Sequence, residues 1–309
     1  MINSPITNSS NTTKIKNINV RYIIKTYKKI LPNLEIEKYF DGLSNIEIYE
    51  CDDTGYKFFH PQNLHGDKEF YYALGKLPWY YSNWKFEHES ALKYINEKSK
   101  VLEVGAGKGH FLKQVVKRLN CSCIGLELNP DIENIQKENR FVLKNESIEE
   151  HCVKNKEIYD VVCSFQVLEH ISEVNSFIES MLSSLKPGGR LIIGVPNNDS
   201  FIKDNPLNTK VLNMPPHHMG LWNKKSLSNI AKVYDLELEN LILEPLQKSN
   251  ITTYIATRAK KILINNFIFR IYWKLNFHKL SRFYVKKKLH KIDGHSIIAI
   301  YKKVINAHS

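Results

Sequence analysis

Ten consecutive residues, Val101-Leu-Glu-Val-Gly-Ala-Gly-Lys-Gly-His110, constrain the fold more than any other part of this 309-residue chain. A short apolar run meets glycines at 105, 107 and 109, and an amphipathic stretch begins at His110. The pattern is that of a buried strand running through a glycine-rich turn into a helix. Glycines let the backbone approach a ligand closely, and a helix N-terminus favours negative charge. A dinucleotide fingerprint would require a small residue at 110, where His110 stands. The third glycine is Gly109, and Glu103 precedes Gly105 by two residues.

The segments around this loop alternate between short apolar runs and helical stretches. Val101–Val104, Cys123–Leu126, Phe141–Leu143, Tyr159–Ser164 and Arg190–Val195 read as strands, with Leu236–Leu243 and Ser296–Lys302 as two more. Ser90–Glu97, His110–Leu119, Asp131–Glu138, Val174–Leu185 and Ser226–Val233 read as helices. This order predicts an α/β fold with a mostly parallel sheet covered by helices. In Lys186-Pro-Gly-Gly189 the proline stops a helix and a glycine supplies positive φ before the next strand. The chain divides into a disordered tail (1–19, rich in Asn, Ser and Thr), an aromatic-rich cap (20–90), a core (91–246), a basic insertion (247–292) and a last strand with its tail (293–309). In the cap, Phe70, Tyr71, Tyr72, Trp79, Tyr80, Tyr81, Trp84 and Phe86 fall within 17 positions.

Glu103 with Gly105, Gly107 and Gly109 resembles the cofactor loop of class I S-adenosylmethionine-dependent methyltransferases. Tyr159-Asp-Val-Val-Cys-Ser-Phe-Gln-Val-Leu-Glu-His170 and Leu185-Lys-Pro-Gly-Gly-Arg-Leu-Ile-Ile-Gly-Val-Pro-Asn197 resemble that family's fourth and fifth strand segments. The likeness covers about residues 50 to 245 and the final strand. It implies a Rossmann-like seven-stranded sheet whose last strand is antiparallel, and S-adenosyl-L-methionine as cofactor. It implies that Glu127, ending the second strand, accepts hydrogen bonds from the ribose hydroxyls, with Leu128 beside it. Ser147 and Ile148 would meet the adenine, and Phe165 and Gln166 the methionine end, where an aromatic face can stabilise a sulfonium.

Methyl transfer to a hydroxyl needs an in-line nucleophile and a group to take its proton. Pro215-Pro-His-His-Met-Gly-Leu-Trp222 follows the fifth strand, on the edge where ligands enter open α/β sheets. His217 and His218, with His170 after the fourth strand, are therefore the candidate catalytic residues. Glu169-His170 with His217-His218 also resembles a divalent-metal pattern of ubiquinone-pathway O-methyltransferases and small-RNA 2′-O-methyltransferases. The first glutamate of that pattern is Gln166 here, which weakens a hard-cation site and leaves the metal open. Asn213-Met-Pro-Pro-His is not the Asn-Pro-Pro motif of nucleobase methylation, and no Pro-Cys nucleophile exists, so base methylation is disfavoured. The cap resembles that of bacterial methyltransferases of glycan pathways, with Cys51 and Thr54 where relatives carry a two-cysteine knuckle. The expected function is O-methylation of a sugar, glycan or small-molecule hydroxyl. The alternatives are RNA 2′-O-methylation and a noncatalytic partner protein in a biosynthetic complex.

The formal charge of +12 is localised. Residues 247–292 hold twelve Lys and Arg and no acid, so the rest of the chain is neutral. Within 254–291, Arg270, Lys274, His278, Arg282 and Lys286 recur every four residues among Phe267, Ile271, Trp273, Leu275, Phe277 and Phe283. The segment reads as one or two amphipathic helices, with three readings open: a solvated helical hairpin packed over the substrate cleft, a peripheral contact with an anionic membrane surface, and, less favoured, a grip on nucleic acid phosphates. Five cysteines, Cys51, Cys121, Cys123, Cys152 and Cys163, make no disulfide framework. With no apolar run of signal-peptide type near Met1, the expected location is the cytoplasm.

Overall fold

A computed structural model of the chain describes residues 2–78, 80, 83–128, 140–263 and 266–305. The N-terminal part builds strand β1 (Thr12–Asn19), helix α1 (Val20–Tyr27), strands β2 (Asn45–Cys51) and β3 (Lys57–His60) and helix α2 (Lys68–Gly75). Helix α3 (Phe86–Leu92) leads into the alternating core. There follow β4 (Lys100–Val104), α4 (His110–Leu119), β5 (Ser122–Leu126), β6 (Phe141–Lys144), α5 (Ile148–Lys154), β7 (Tyr159–Phe165), α6 (Val174–Ser184) and β8 (Leu185–Pro196). After β9 (Gly220–Leu221) and α7 (Lys224–Val233) come β10 (Leu236–Pro245), α8 (Ile251–Leu263), α9 (Asn266–Lys274), α10 (Phe277–Lys286) and β11 (Asp293–Lys303).

Seven strands pair in the order β10-β11-β8-β7-β4-β5-β6. The pairs from β8 to β6 are parallel, and β11 runs antiparallel to both β8 and β10. Parallel strands are covered on both faces, which explains their continuous apolar runs. One face packs Val104, Val162, Leu191, Ile193 and Ala299 with α6 and α7, the other Val101, Cys163, Ile192 and Ile298 with α3 and α4. The Lys186–Gly189 turn breaks the β7–β8 register between Tyr159 and Val161, with Gly188 at φ 74°. The expected helix Asp131–Glu138 lies outside the described residues.

The cap is less separate than the reading of 20–90 implies. Its sheet has the order β1-β2-β3-β9, and β9 comes from residues 220–221, immediately after the two histidines. Tyr56 and Phe58 join the main core beside Trp222, which is completely buried against Tyr56 at 4.3 Å between ring centroids. Four expectations require correction. Residues 1–19 are not a disordered tail: Thr12–Asn19 pair with Asn45–Cys51, and Ile6 is buried in the main core. A polar composition hides such a strand because the ladder is made by backbone groups, and only the inward-facing Ile18 is buried. The helix expected at Ser90–Glu97 starts earlier, at Phe86, after Lys85 donates its backbone N–H to His88 Nδ1 at 3.3 Å. Helix α5 was not expected; it begins with a reciprocal cap between Ser147 and Glu150. The basic insertion forms three helices, and the left-handed Asn276 (φ 61°) ends the four-residue repeat between α9 and α10.

Candidate active site

The glycine loop takes its shape from backbone conformations that side chains rarely adopt. Gly105, Gly107 and Gly109 have φ of 77°, 51° and 69°. A Cβ on Gly109 would lie 2.1 Å from the Phe141 ring, so helix α4 can approach β6 only without one. At Gly107 a Cβ would meet nothing within 4 Å, and this face of the turn is open. Glu127 Oε2 accepts the Gly107 N–H at 2.9 Å, so the predicted ribose-binding carboxylate also braces the loop. Leu128 beside it is 65% exposed, an apolar surface at the mouth of the loop.

Glu103 is buried next to the loop, and burial pushes its carboxyl well above the ordinary range. Its Oε2 and the hydroxyl of Ser164, on the adjacent strand, have no hydrogen-bond partner among the described residues. Buried polar atoms without partners are uncommon and mark a place where a ligand group belongs. A cationic ammonium such as that of a methionine moiety would satisfy Glu103, and the open Gly107 face would admit the nucleoside. The loop therefore fits S-adenosylmethionine.

Other predicted cofactor residues have structural duties. The Ser147 hydroxyl accepts from Glu150 N–H as the cap of α5, and Ile148 is buried in the main core. Phe165 packs edge-on against Phe111 and His88, at 5.0 and 5.2 Å between centroids, so its ring belongs to the core. Gln166 adopts a left-handed backbone (φ 58°), unusual away from glycine and frequent at functional sites. Its Nε2 donates to Glu87 Oε1 at 2.7 Å, and Glu87 is buried. A carboxylate from α3 thus stands beside the amide that occupies the missing glutamate's position.

The three candidate histidines come together at the carboxyl edge of the sheet. Their ring centroids lie 4.4–5.0 Å apart, and one ligand atom from each falls within 4.8 Å of the others. His170 Nδ1 donates to the His217 carbonyl at 2.6 Å, and His218 Nδ1 donates to Asn213 Oδ1 at 3.0 Å. The Asn213 amide is itself oriented by donating to Asn198 Oδ1 at 2.6 Å. Each of these two rings therefore keeps its Nε2 lone pair free for other use. His217 differs: Nδ1 donates to the Leu212 carbonyl at 2.7 Å, and Nε2 accepts from the Tyr80 hydroxyl at 2.7 Å. Both of its nitrogens are committed.

Burial lowers all three imidazoles, His170 to about 4 and the other two well below the usual range, so all are neutral near pH 7. Burial also raises Glu169 to about 8. Its Oε2 has no partner among the described residues, while Oε1 is 3.8 Å from His170 Nε2. The three histidines are the donor cluster here, neutral imidazoles of a kind suited to zinc, iron(II) or manganese, with Glu169 adjoining at His170.

Tyr71 stands edge-on to His170 at 5.7 Å, so the cap closes over the histidines; Trp79 and Tyr81 of the aromatic run lie outside the described residues. Sequence reasoning missed Lys85, Glu87, Asn213 and Glu244. Lys85 is close enough for its charge to act on Glu103, Glu169, His170 and His295. Glu244 accepts the backbone N–H groups of His295 and Ser296, both at 3.0 Å, and burial with the nearby Glu87 raises it to about 7. Nothing in the local sequence distinguishes these residues from surface charges. The cue for Asn213 was its place five residues before His218. Cys51, which stands with Thr54 where relatives carry a two-cysteine knuckle, is buried in a tight turn where its Sγ lies 3.8 Å from Thr7 Oγ1.

Glu127→Ala removes one carboxylate from both the loop and the ribose position. A hydrogen bond to a charged group is worth about 1.5–3 kcal/mol, so affinity for S-adenosylhomocysteine is expected to fall about tenfold or more. Calorimetry on the folded variant measures this, and unchanged affinity would remove Glu127 from the cofactor site.

The sequence family described as "Methyltransferase domain" matches residues 81–241, just over half of the chain. The mitochondrial ubiquinone biosynthesis O-methyltransferase of Rattus norvegicus is 28% identical over 159 residues, 46% of this chain and 45% of that protein. The ubiquinone biosynthesis O-methyltransferase of Salmonella newport (strain SL254) is 30% identical over 122 residues, 35% of this chain and 49% of that protein. The chain thus spans about half the length of the curated relatives it matches. A solved structure, a SAM-dependent methyltransferase from Archaeoglobus fulgidus, superposes with a TM-score of 0.50 at 17% identity, covering 77% of this chain and all of that one. The glycine loop braced by Glu127, the seven-stranded sheet with its reversed strand and the domain match agree: the chain belongs to the class I S-adenosylmethionine-dependent methyltransferases.

Proposed function

We propose that this protein methylates a hydroxyl of a sugar or glycan intermediate, with His218 as the base. The observation that carries this reading is the His218 ring: neutral, held by Asn213 through Nδ1, with Nε2 free among residues at the ligand edge of the sheet. Bound S-adenosylmethionine supplies an activated methyl group. Tyr71, Tyr80 and the histidine loop wall the site and exclude water, which strengthens electrostatic interactions inside it. His218 Nε2 would take the proton of the acceptor hydroxyl as that oxygen gains the methyl group. His170, with the same pinned Nδ1, orients the hydroxyl. The named relatives are O-methyltransferases, which agrees with an oxygen acceptor.

A second reading rests on the unpartnered Oε2 of Glu169. Glu169, His170 and His218 would hold a divalent cation, which would acidify the acceptor hydroxyl; His217 would join only by releasing Tyr80.

The test is a panel of nucleotide sugars, glycans, phenols and short RNAs offered with methyl-labelled S-adenosylmethionine, with product analysis by mass spectrometry. A methyl ether on a saccharide is the expected product. Methyl on nitrogen, carbon or RNA would overturn the assignment. The same assay after chelation separates the two readings: unchanged rate supports the unaided base, and loss restored by added manganese or zinc supports the cation.

A further inference from the structure

The insertion between β10 and β11 is built in two tiers. Helix α8 seats Ile251 and Ile255 against Phe201, and Thr257 Oγ1 donates to the Phe201 carbonyl at 3.3 Å. Helices α9 and α10 pack on α8 and expose their outer faces. On α9, Phe269, Tyr272 and Trp273 turn inward and are half-buried. The opposite face presents Phe267, Ile268, Ile271 and, one position past the helix, Leu275, all within about 100° of the helix circumference. On α10 the outward stripe is Phe277, Leu280, Phe283 and Tyr284. Of the 17 exposed large hydrophobic residues described, nine lie between Ile262 and Tyr284, so the apolar surface is concentrated here.

Basic residues border both stripes, Arg270 and Lys274 on α9, Lys279, Arg282 and Lys286 on α10. The ammonium groups of Lys287 and Lys288 lie over the Phe283 and Tyr284 rings at 4.5 and 4.4 Å, so cations sit directly against the apolar stripe. The segment holds no acid and all of the chain's net charge. No helix among the described residues is long and apolar enough to cross a membrane.

We infer that α9 and α10 form a docking face for an anionic lipid bilayer surface, with the two apolar stripes in the acyl boundary and the bordering cations at the headgroups. Charge complementarity selects this occupant. A second copy of the chain would bring like charge to like charge. Nucleic-acid interfaces are polar, and Ile268, Ile271, Leu275 and Leu280 have nothing to bind along a phosphate backbone. An amphipathic surface helix carries this combination of aliphatic, aromatic and basic residues. The face also bears on the site. Phe201, which α8 clamps, lies three residues beyond Asn198, which orients Asn213 and through it His218. Docking would hold the acceptor edge near the membrane and suit a lipid-linked acceptor.

The test uses the full chain with vesicles of phosphatidylcholine alone or with about one-third phosphatidylglycerol, at low and high salt. Co-sedimentation is expected only with the anionic vesicles and is expected to weaken as salt rises. Leu280 and Phe283 are 73% and 67% exposed, so Leu280→Glu with Phe283→Glu should leave thermal stability and S-adenosylhomocysteine binding unchanged. That double variant is expected to lose vesicle binding on the order of tenfold or more. Three results would each overturn the inference: no binding by the wild type at low salt, equal binding by the double variant, or displacement by a short RNA that both proteins hold equally.

Discussion

Replacing His218 with alanine is expected to slow methyl transfer by about 10²–10⁴, the usual contribution of a positioned general base. The cofactor loop is a separate element, so affinity for S-adenosylhomocysteine should stay within experimental error. The argument rests on which nitrogen is free. Asn213 accepts the Nδ1 proton, so the lone pair sits on Nε2, and burial keeps the ring neutral. Asn213→Ala should give a smaller loss, because the ring would survive without its fixed tautomer. His217→Ala provides the contrast. Both His217 nitrogens are bound, to Leu212 and Tyr80, so its removal should lower the unfolding midpoint by leaving polar groups unpaired. Wild-type turnover in His218→Ala, measured with the acceptor identified in the labelled screen, would return the residue to a purely structural role.

Gly109→Ala is expected to cost about 2–5 kcal/mol of stability and to abolish detectable cofactor binding at ordinary concentrations. Two costs add. A side chain in the left-handed region costs roughly 1–2 kcal/mol. Forcing a methyl into a packed core costs about 1–3 kcal/mol more, and Phe141, buried among Phe111, Val115 and Cys123, has little room to retreat. Gly107→Ala separates the terms: it carries the backbone cost without the clash, so its fold should be weakened by only the first amount. Denaturant unfolding measures both variants, and a Gly109→Ala midpoint equal to that of the wild type would refute the packing argument.

Both variants act on a region legible from sequence alone, because strand, turn and helix are encoded by neighbours in the chain. Short apolar runs place β4, β5 and β7 to within one residue and the second half of β8, whose first five residues lie ahead of the run, and helix α4 spans the same residues as read, His110–Leu119. The capping pair Ser147 and Glu150 is equally local, a Ser-x-x-Glu signature that marks the start of helix α5.

The sequence by itself determined the sheet order's alternating core, the cofactor loop and the concentration of charge in one insertion. All three depend on periodicity and composition over a few residues. The tertiary structure alone decided the rest. Glu87 reaches Gln166 across 79 positions, and Tyr80 reaches His217 across 137. Which histidine keeps a free lone pair depends on carbonyl and amide oxygens brought to it by packing. Likewise the polar residues 12–19 became a strand because β2 lay alongside to pair with them. Such partnerships are set by burial and backbone hydrogen bonding between distant segments, so no local pattern can carry them.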